Sequence, residues 1–311
     1  MNSKHRCQNL YENYLVGDVP ESHLVRGATN RELLAWGSDE LRKADILNDR
    51  GECEQILSDI LGIEKIALYL DQKIPDEYRR LRYQEIIALR KKHFPLQYIL
   101  GKTFFYGLEF IVTSGVFIPR PETELLVELA INLTKENNQD EYYIWDMCCG
   151  VANIAITFVK NIPNCKILAT DISAQALAAA GKNINLHNCI NNIELAKGDL
   201  FAIDLSEYEK FDIIAVNPPY LNKKEMLLMT PELKHEPKIA LSGGEDGLYY
   251  YNQIVPKASH FLRKGGFLVL EIGEHQVNDI SYLFKKNKSF AQVKAMNDLT
   301  QRPRITYAQK L

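Results

Sequence analysis

The tetrapeptide Asn217-Pro218-Pro219-Tyr220 carries more chemistry than any other stretch of this sequence. An amide or aromatic amine is a poor nucleophile because its lone pair is delocalised. The side-chain carbonyl of Asn217 and the backbone carbonyl of Pro218 can each accept one N–H of a target NH2 group. That pins the nitrogen and turns its lone pair toward an incoming methyl group. Two prolines fix the backbone, and Tyr220 offers a flat face for a planar amide or base. Bringing nucleophile and methyl donor to near-attack distance supplies about 7–11 kcal/mol at the favourable limit. Neither a metal nor a strong general base is required, because the nitrogen becomes acidic as it is alkylated. A Pro-Pro pair after a strand can also be no more than a rigid stop, so the reading depends on what else the chain places nearby.

Asp146, Asp171, Asp199 and Asn217 each stand at or just after the end of an apolar, β-branched run. A single Asp in such a place is ordinarily a helix cap or turn former. Four in succession match the rule that ligands of open α/β sheets bind outside the carboxyl ends of the strands. Asp171 is placed to accept hydrogen bonds from a ribose hydroxyl pair, and Asp199, with Leu200 and Phe201, to meet an adenine edge and face. The turn Asp146-Met147-Cys148-Cys149-Gly150-Val151-Ala152-Asn153 has small residues at Cys148, Gly150 and Ala152, which let backbone approach a nucleotide-type ligand. It is a weak signal alone, and it is not a phosphate-binding P-loop, since no Gly-Lys-Ser/Thr follows.

The elements that must hold these residues follow from periodicity. Residues 1–29 are mixed and polar and read as an extension. From Asn30, Leu33, Leu34, Leu41, Ile46 and Leu47 recur at helical spacing, followed by Cys53, Ile56, Leu57, Ile60 and Leu61. Ile66, Leu68 and Leu70 suggest a short third element, and Tyr78, Leu81, Ile86, Ile87 and Leu89 a longer helix. Residues 30–94 are therefore expected to form a small all-helical domain. Residues 103–106 and 110–112 read as a hairpin within a linker over 95–121, and a helix opens at Pro121-Glu122. Beyond it, strands are expected at 142–147, 166–170, 193–196, 211–216 and 266–272, with helices at 153–159, 174–186 and near 248–261. Two weaker strands, 291–296 and 305–308, end the chain. Repeated β-α-β units over 122–311 imply a mostly parallel sheet covered by helices on both faces.

The bulk properties are those of a globular chain with ample core. Of 311 residues, 46% are hydrophobic and 25% charged. A formal net charge of −3 does not advertise the basic surface of a nucleic-acid binder, so direct nucleic-acid binding is not expected. No Cys/His cluster has zinc spacing, and the cysteines read as free thiols. No apolar run reaches the ~18 residues of a membrane span, and the N-terminal stretch lacks the apolar core of a signal peptide. A cytoplasmic monomer without bound metal is expected.

Several blocks then narrow the reading. They are Pro95-Leu96-Gln97-Tyr98-Ile99-Leu100-Gly101, Phe105-Tyr106-Gly107-Leu108, Ile118-Pro119-Arg120-Pro121-Glu122-Thr123-Glu124, the Asn217–Tyr220 turn, and Glu236-Pro237-Lys238-Ile239-Ala240-Leu241 with Gly243-Gly244 and Asp246-Gly247-Leu248. From about Asn30 onward the chain resembles the release-factor glutamine methyltransferases, the PrmC/HemK family. The resemblance implies a helical substrate-recognition domain, a hairpin linker and a Rossmann-like, seven-stranded class I methyltransferase domain. It implies transfer of a methyl group from S-adenosylmethionine, leaving S-adenosylhomocysteine, to the glutamine side chain in the Gly-Gly-Gln loop of peptide chain release factors. By motif position, Asn217 and Pro218 would hold the glutamine amide with Pro219 and Tyr220 beside it. Asp146, Gly150, Asp171 and Asp199, with Asn217, would surround the donor. Arg120 and Glu122 would lie near the mouth of the site, or equally would anchor the hairpin by ion pairing. Three residues depart from the pattern. Val151 and Ala152 replace a hydroxyl residue and the last glycine of the first turn, and Phe104 stands where Glu is common. A methyl group at position 152 would crowd the donor's methionine portion if the backbone there needs positive φ.

Two other readings stay open on the residues alone. One keeps the chemistry and changes the acceptor to another protein glutamine, a nucleic-acid base amine or a small metabolite; a base would have to be unstacked to reach the site. The other is a binding protein that has lost turnover, against which the intact Asn217–Tyr220 turn speaks.

Overall fold

The computed structural model describes residues 27–70, 74–137, 139–206, 208 and 210–311. The extension expected over 1–29 lies outside the described residues except for Gly27, Ala28 and Thr29, as does Cys7. The chain divides into two compact units, one of Met1–Gly101 with Pro231–His235, the other of Lys102–Thr230 with Glu236–Leu311.

The first unit contains helices α1 (Asn30–Lys43), α2 (Asp49–Leu61), α3 (Ala67–Leu70), α4 (Glu77–Arg90) and α5 (Leu96–Leu100). Thr29 and Glu32 form a reciprocal capping box that starts α1, and Asp76 caps α4 through the Arg79 N–H. Leu33, Leu34, Leu41, Ile56, Leu57, Tyr83 and Ile87 make its core. Leu47, Tyr78 and Leu81, part of the apolar pattern, face outward instead. The returning segment is tied in by Glu232, which accepts from buried Arg90 at 3.2 Å and contacts His93 Nδ1 at 2.8 Å.

The second unit opens with the hairpin β1 (Lys102–Phe105) and β2 (Leu108–Ile111). Tyr106 and Gly107 both have positive φ, 50° and 74°, as a two-residue turn between twisted strands requires. The side-chain amide of Asn183 fastens β2, accepting from the Ile111 N–H at 2.7 Å and donating to its carbonyl at 3.0 Å.

After α6 (Glu124–Asn137) come β3 (Tyr142–Met147), α7 (Asn153–Asn161), β4 (Cys165–Asp171), α8 (Ala174–Leu186), β5 (Ile193–Lys197), β6 (Phe211–Val216), α9 (Lys223–Leu227), α10 (Tyr251–Ala258), β7 (Leu262–Glu271), α11 (Val277–Lys286), β8 (Lys294–Asn297) and β9 (Pro303–Gln309). The sheet order is β5-β4-β3-β6-β7-β9-β8, parallel except that β9 runs against both its neighbours. Strand residues alternate between two cores. Ile144, Ile167, Ile213 and Val269 face one side with Leu126, Ala155, Phe158 and Ala180. Trp145, Leu168, Ile214, Leu268 and Leu270 face the other with Tyr251, Ile254, Ile280 and Phe284. The fold expectation therefore holds, with strand limits shifted by a few residues; β7 starts at Leu262, four residues before position 266.

Candidate active site

The chain lays β3, β4 and β5 outward on one side and then returns to place β6 on the other side of β3. That reversal opens a crevice at the carboxyl ends of β3 and β6. In register, Met147 pairs with Val216, so the turn after β3 and Asn217 begin about one strand spacing, ~4.8 Å, apart. Along the same edge Asp199, Asp171, Asp146 and Asn217 follow the strand order β5-β4-β3-β6.

The turn after β3 is built from left-handed backbone. Cys148, Gly150 and Ala152 have φ of 63°, 55° and 62°. Only Gly150 adopts this freely; for L side chains it costs about 1–2 kcal/mol per residue. A Cβ placed on Gly150 would meet no protein atom within 4 Å, so the turn opens toward the crevice there. Ala152, whose φ is indeed positive, is 0% exposed and belongs to the core cluster with Ala155 and Phe158. Its methyl group packs within that cluster. Val151 is 1% exposed. Burial pushes the Cys148 and Cys149 thiols up, which keeps both neutral.

Asp171 accepts from the Gly150 N–H at 2.9 Å through one oxygen and from the Ser173 N–H at 2.8 Å through the other. It therefore shapes the turn and keeps lone pairs for a ligand. Burial raises its carboxyl above the usual range, and those hydrogen bonds oppose the shift. Asp146 is fully buried. One oxygen accepts from the Ala155 N–H at 3.0 Å, and the other has no partner. Burial pushes this carboxyl up to about 8, with the Asp171 charge adding to the effect. Asp199 is exposed. Leu200 is 6% exposed, and the Phe201 ring stacks on Phe261 at 5.1 Å and meets Trp145 edge-on. Tyr250, not singled out by the sequence, is partly buried near Cys148, Asp199 and Asp171.

These features fit a S-adenosylmethionine-type donor: an unpartnered buried carboxylate oxygen for a cationic ammonium, an open glycine, and a second carboxylate at the next strand end for a diol. Among the described residues no group of three His, Cys, Asp or Glu could hold a metal.

The turn after β6 is held more tightly. Asn217 Nδ2 donates to Thr123 Oγ1 at 3.1 Å, and no described group bonds to its Oδ1. No described group bonds to the Pro218 carbonyl either. The Tyr220 carbonyl accepts from Gln276 Nε2 at 3.0 Å, and the same amide holds the Gly247 carbonyl at 3.1 Å. Gly243 packs so close that an added Cβ would lie 2.8 Å from the Tyr220 Cα, and Gly244 has a φ of 91°, which together account for the Gly-Gly pair in that block. The Tyr220 hydroxyl is held above its usual range by burial and by the Glu271 carboxyl. Arg120 does form an ion pair, to Glu236, which also accepts from the Ile118 N–H at 3.0 Å. Two of the blocks quoted above are thus locked together. A further hairpin anchor beside Asn183 is Glu124, which accepts from the Tyr106 N–H at 2.7 Å. Glu122 is exposed, and Phe104 is exposed on the hairpin opposite Glu109.

A seven-stranded sheet in this order is the fold of the methyltransferases. The hMettl16 catalytic domain, solved in complex with the MAT2A 3′UTR hairpin 6, superposes with a TM-score of 0.54 at 13% identity, over 76% of this chain and 82% of that one. The PrmC N-terminal domain family matches residues 32–101, and the methyltransferase small domain family matches residues 108–245. The release factor glutamine methyltransferase of Clostridium botulinum is 34% identical over 283 residues, 90% of this chain and 99% of that protein. That of Geobacter sulfurreducens is 35% identical, over 83% of this chain and 89% of that protein. The chain belongs to the release factor glutamine methyltransferase family. No helix among the described residues is long and apolar enough to cross a membrane.

Proposed function

We propose that this methyltransferase moves a methyl group from S-adenosylmethionine to the side-chain amide nitrogen of the Gly-Gly-Gln glutamine of a peptide chain release factor. The observation that carries the acceptor assignment is the orientation of Asn217: its NH2 is occupied by Thr123, so its carbonyl oxygen is the atom offered to a ligand. Beside the Pro218 carbonyl it makes two acceptors for the two N–H bonds of a primary amide. Their hydrogen bonds hold the amide nitrogen and direct its lone pair across the crevice. Tyr220 provides the flat wall. When bound, the donor supplies an electrophilic methyl on a sulfonium centre. Asp146 would hold its ammonium, Asp171 its ribose hydroxyls, and Asp199 its adenine edge. Catalysis is then positioning, as the absence of any required base implies. The name of the relatives, release factor glutamine methyltransferase, supports the substrate. The helical unit is assigned to recognition of that substrate.

The test is incubation of the full-length protein with a release factor and methyl-labelled donor, followed by peptide mass spectrometry. One methyl group on the Gly-Gly-Gln glutamine is expected. Donor binding with that glutamine unmodified would remove the substrate assignment.

A further inference from the structure

Asn217, Thr123 and Glu271 form one hydrogen-bonded line. Asn217 Nδ2 lies 3.1 Å from Thr123 Oγ1, which donates to Glu271 Oε2 at 2.6 Å. Thr123 and Glu271 are each 2% exposed. The arrangement follows from the sheet: Val216 pairs with Leu270, so Asn217 and Glu271 leave adjacent strand ends side by side. Thr123 reaches them from the short 3-10 turn Pro121–Thr123.

A hydroxyl has one proton to give, and an ionised carboxylate can only accept. With Glu271 ionised, the Thr123 proton must point to Glu271, and Thr123 must accept from Asn217. The Asn217 carbonyl then faces the crevice. With Glu271 protonated, its O–H can donate to Thr123 and free the Thr123 proton for Asn217 Oδ1. The amide can then turn over and present NH2 to the target NH2, donor against donor. We propose that Thr123 and Glu271 are positioning residues for methyl transfer, forming a relay whose polarity selects which end of Asn217 meets the target amide. The relay rests on the function proposed above.

The relay operates near neutral pH. Burial pushes the Glu271 carboxyl up to about 7; Glu122 adds to the rise, and the Thr123 hydrogen bond, Arg304 and Arg120 oppose it. The Tyr220 hydroxyl also faces this carboxyl, and the Tyr251 hydroxyl donates to the Glu271 backbone carbonyl at 2.7 Å. Ionisation of Glu271 turns the relay on, so the methyl-transfer rate must fall as pH drops through neutrality.

The experiment uses the full-length protein with a release factor and S-adenosylmethionine between about pH 5.5 and 8.5, with donor affinity measured alongside. The wild type is expected to lose kcat toward acid with a one-proton limb, and Glu271→Gln to show no such limb. Thr123→Val is expected to lower kcat about 10–100-fold with donor Kd changed less than about twofold, and Thr123→Ser to restore it. A second readout needs no turnover. The Asn217 side-chain NH2 resonances, identified by their loss in Asn217→Ala, should titrate with the same midpoint in the wild type and stay fixed in Glu271→Gln. Normal kcat in Thr123→Val, a retained acid limb in Glu271→Gln, or a non-titrating Asn217 amide each overturns the relay. If the wild type leaves the glutamine unmodified, the proposed substrate fails, and the resonance titration still decides the relay. Should Thr123→Val not fold, the Glu271→Gln profile and the titration decide it.

Discussion

The two halves of the site are made differently. The turn after β3 is a run of backbone in left-handed conformations, held by one carboxylate, Asp171, and lined by Asp146 with an unpartnered oxygen. The turn after β6 is fixed from three directions, by Thr123 on the Asn217 amide, Gln276 on the Tyr220 carbonyl, and Gly243 against the Tyr220 backbone. The turn after β3 leaves a buried carboxyl oxygen of Asp146 without a partner, whereas the turn after β6 uses the Asn217 NH2 and the Gln276 amide for orientation and keeps the Asn217 side-chain oxygen free. Val151 and Ala152 are buried, so their departure from the family pattern bears on core packing and, at Ala152, on backbone strain.

The contrast can be broken most sharply at Asn217. Asn217→Ala is expected to cut kcat at least ~100-fold with donor binding nearly unchanged, as loss of a positioning contact does. Near-normal turnover by single-turnover kinetics would remove the role given to this residue. On the donor side, Asp171→Ala is expected to weaken donor binding about 10–100-fold by calorimetry, the worth of one or two hydrogen bonds to a charged group. An unchanged Kd would mean that Asp171 serves only the turn.

A smaller effect separates the halves by pH. Asp146 titrates near 8 in the folded chain, far above an unfolded aspartate. Its protonated form is the one the fold favours, so its stabilising contribution is fully present below the unfolded pKa and is lost as pH rises through about 8. Glu271 acts in the same direction through about 7. Thermal stability should therefore decline from acid toward pH 8, and Asp146→Asn should flatten that slope. Pairing a cationic ammonium with Asp146 requires its ionised form, so donor affinity should rise over the same range, up to about tenfold per pH unit, with proton release on binding. Calorimetry in buffers of different ionisation enthalpy measures that release, and its persistence in Asp146→Asn would dissociate it from this residue.

The smallest expected effect is at Ala152. Replacing it with glycine relieves about 1–2 kcal/mol of left-handed strain but removes a buried methyl group worth about 0.8 kcal/mol and loosens the unfolded chain. Stability should move by no more than about 1 kcal/mol, and donor Kd by less than about threefold. A tenfold gain in affinity would show that the methyl group obstructs the donor after all.

Much of the sheet and its ligand edge was legible because strands announce themselves locally. Near-continuous apolar, β-branched runs end at Asp146, Asp171 and Asn217, as strands buried on both faces do, and the strands lie there. Glu271 was missed although the same rule applies to it: it is an acid closing the run Leu268-Val269-Leu270. Thr123 lay inside a quoted block, but nothing at short range shows that its hydroxyl is needed 94 residues away. Gln276 and Glu236 were silent for the same reason. The expected adenine-facing trio differs in exposure: Asp199 is exposed, Leu200 is buried, and Phe201 is partly buried against Phe261 and Trp145.

The sequence alone determined the composition of the site. The amide, the two prolines, the tyrosine and the strand-end acids are consecutive or periodic features, and local backbone geometry suffices to predict what each can do. Tertiary structure alone decided which end of Asn217 is held by Thr123, that Ala152 is buried, and which carboxyls are buried and unpaired. Those are properties of contacts between β3, β6, β7 and the turn before α6. They depend on strand order and burial, which bring together groups that are distant in the chain and strip them of the water that would otherwise leave their protons and orientations unspecified.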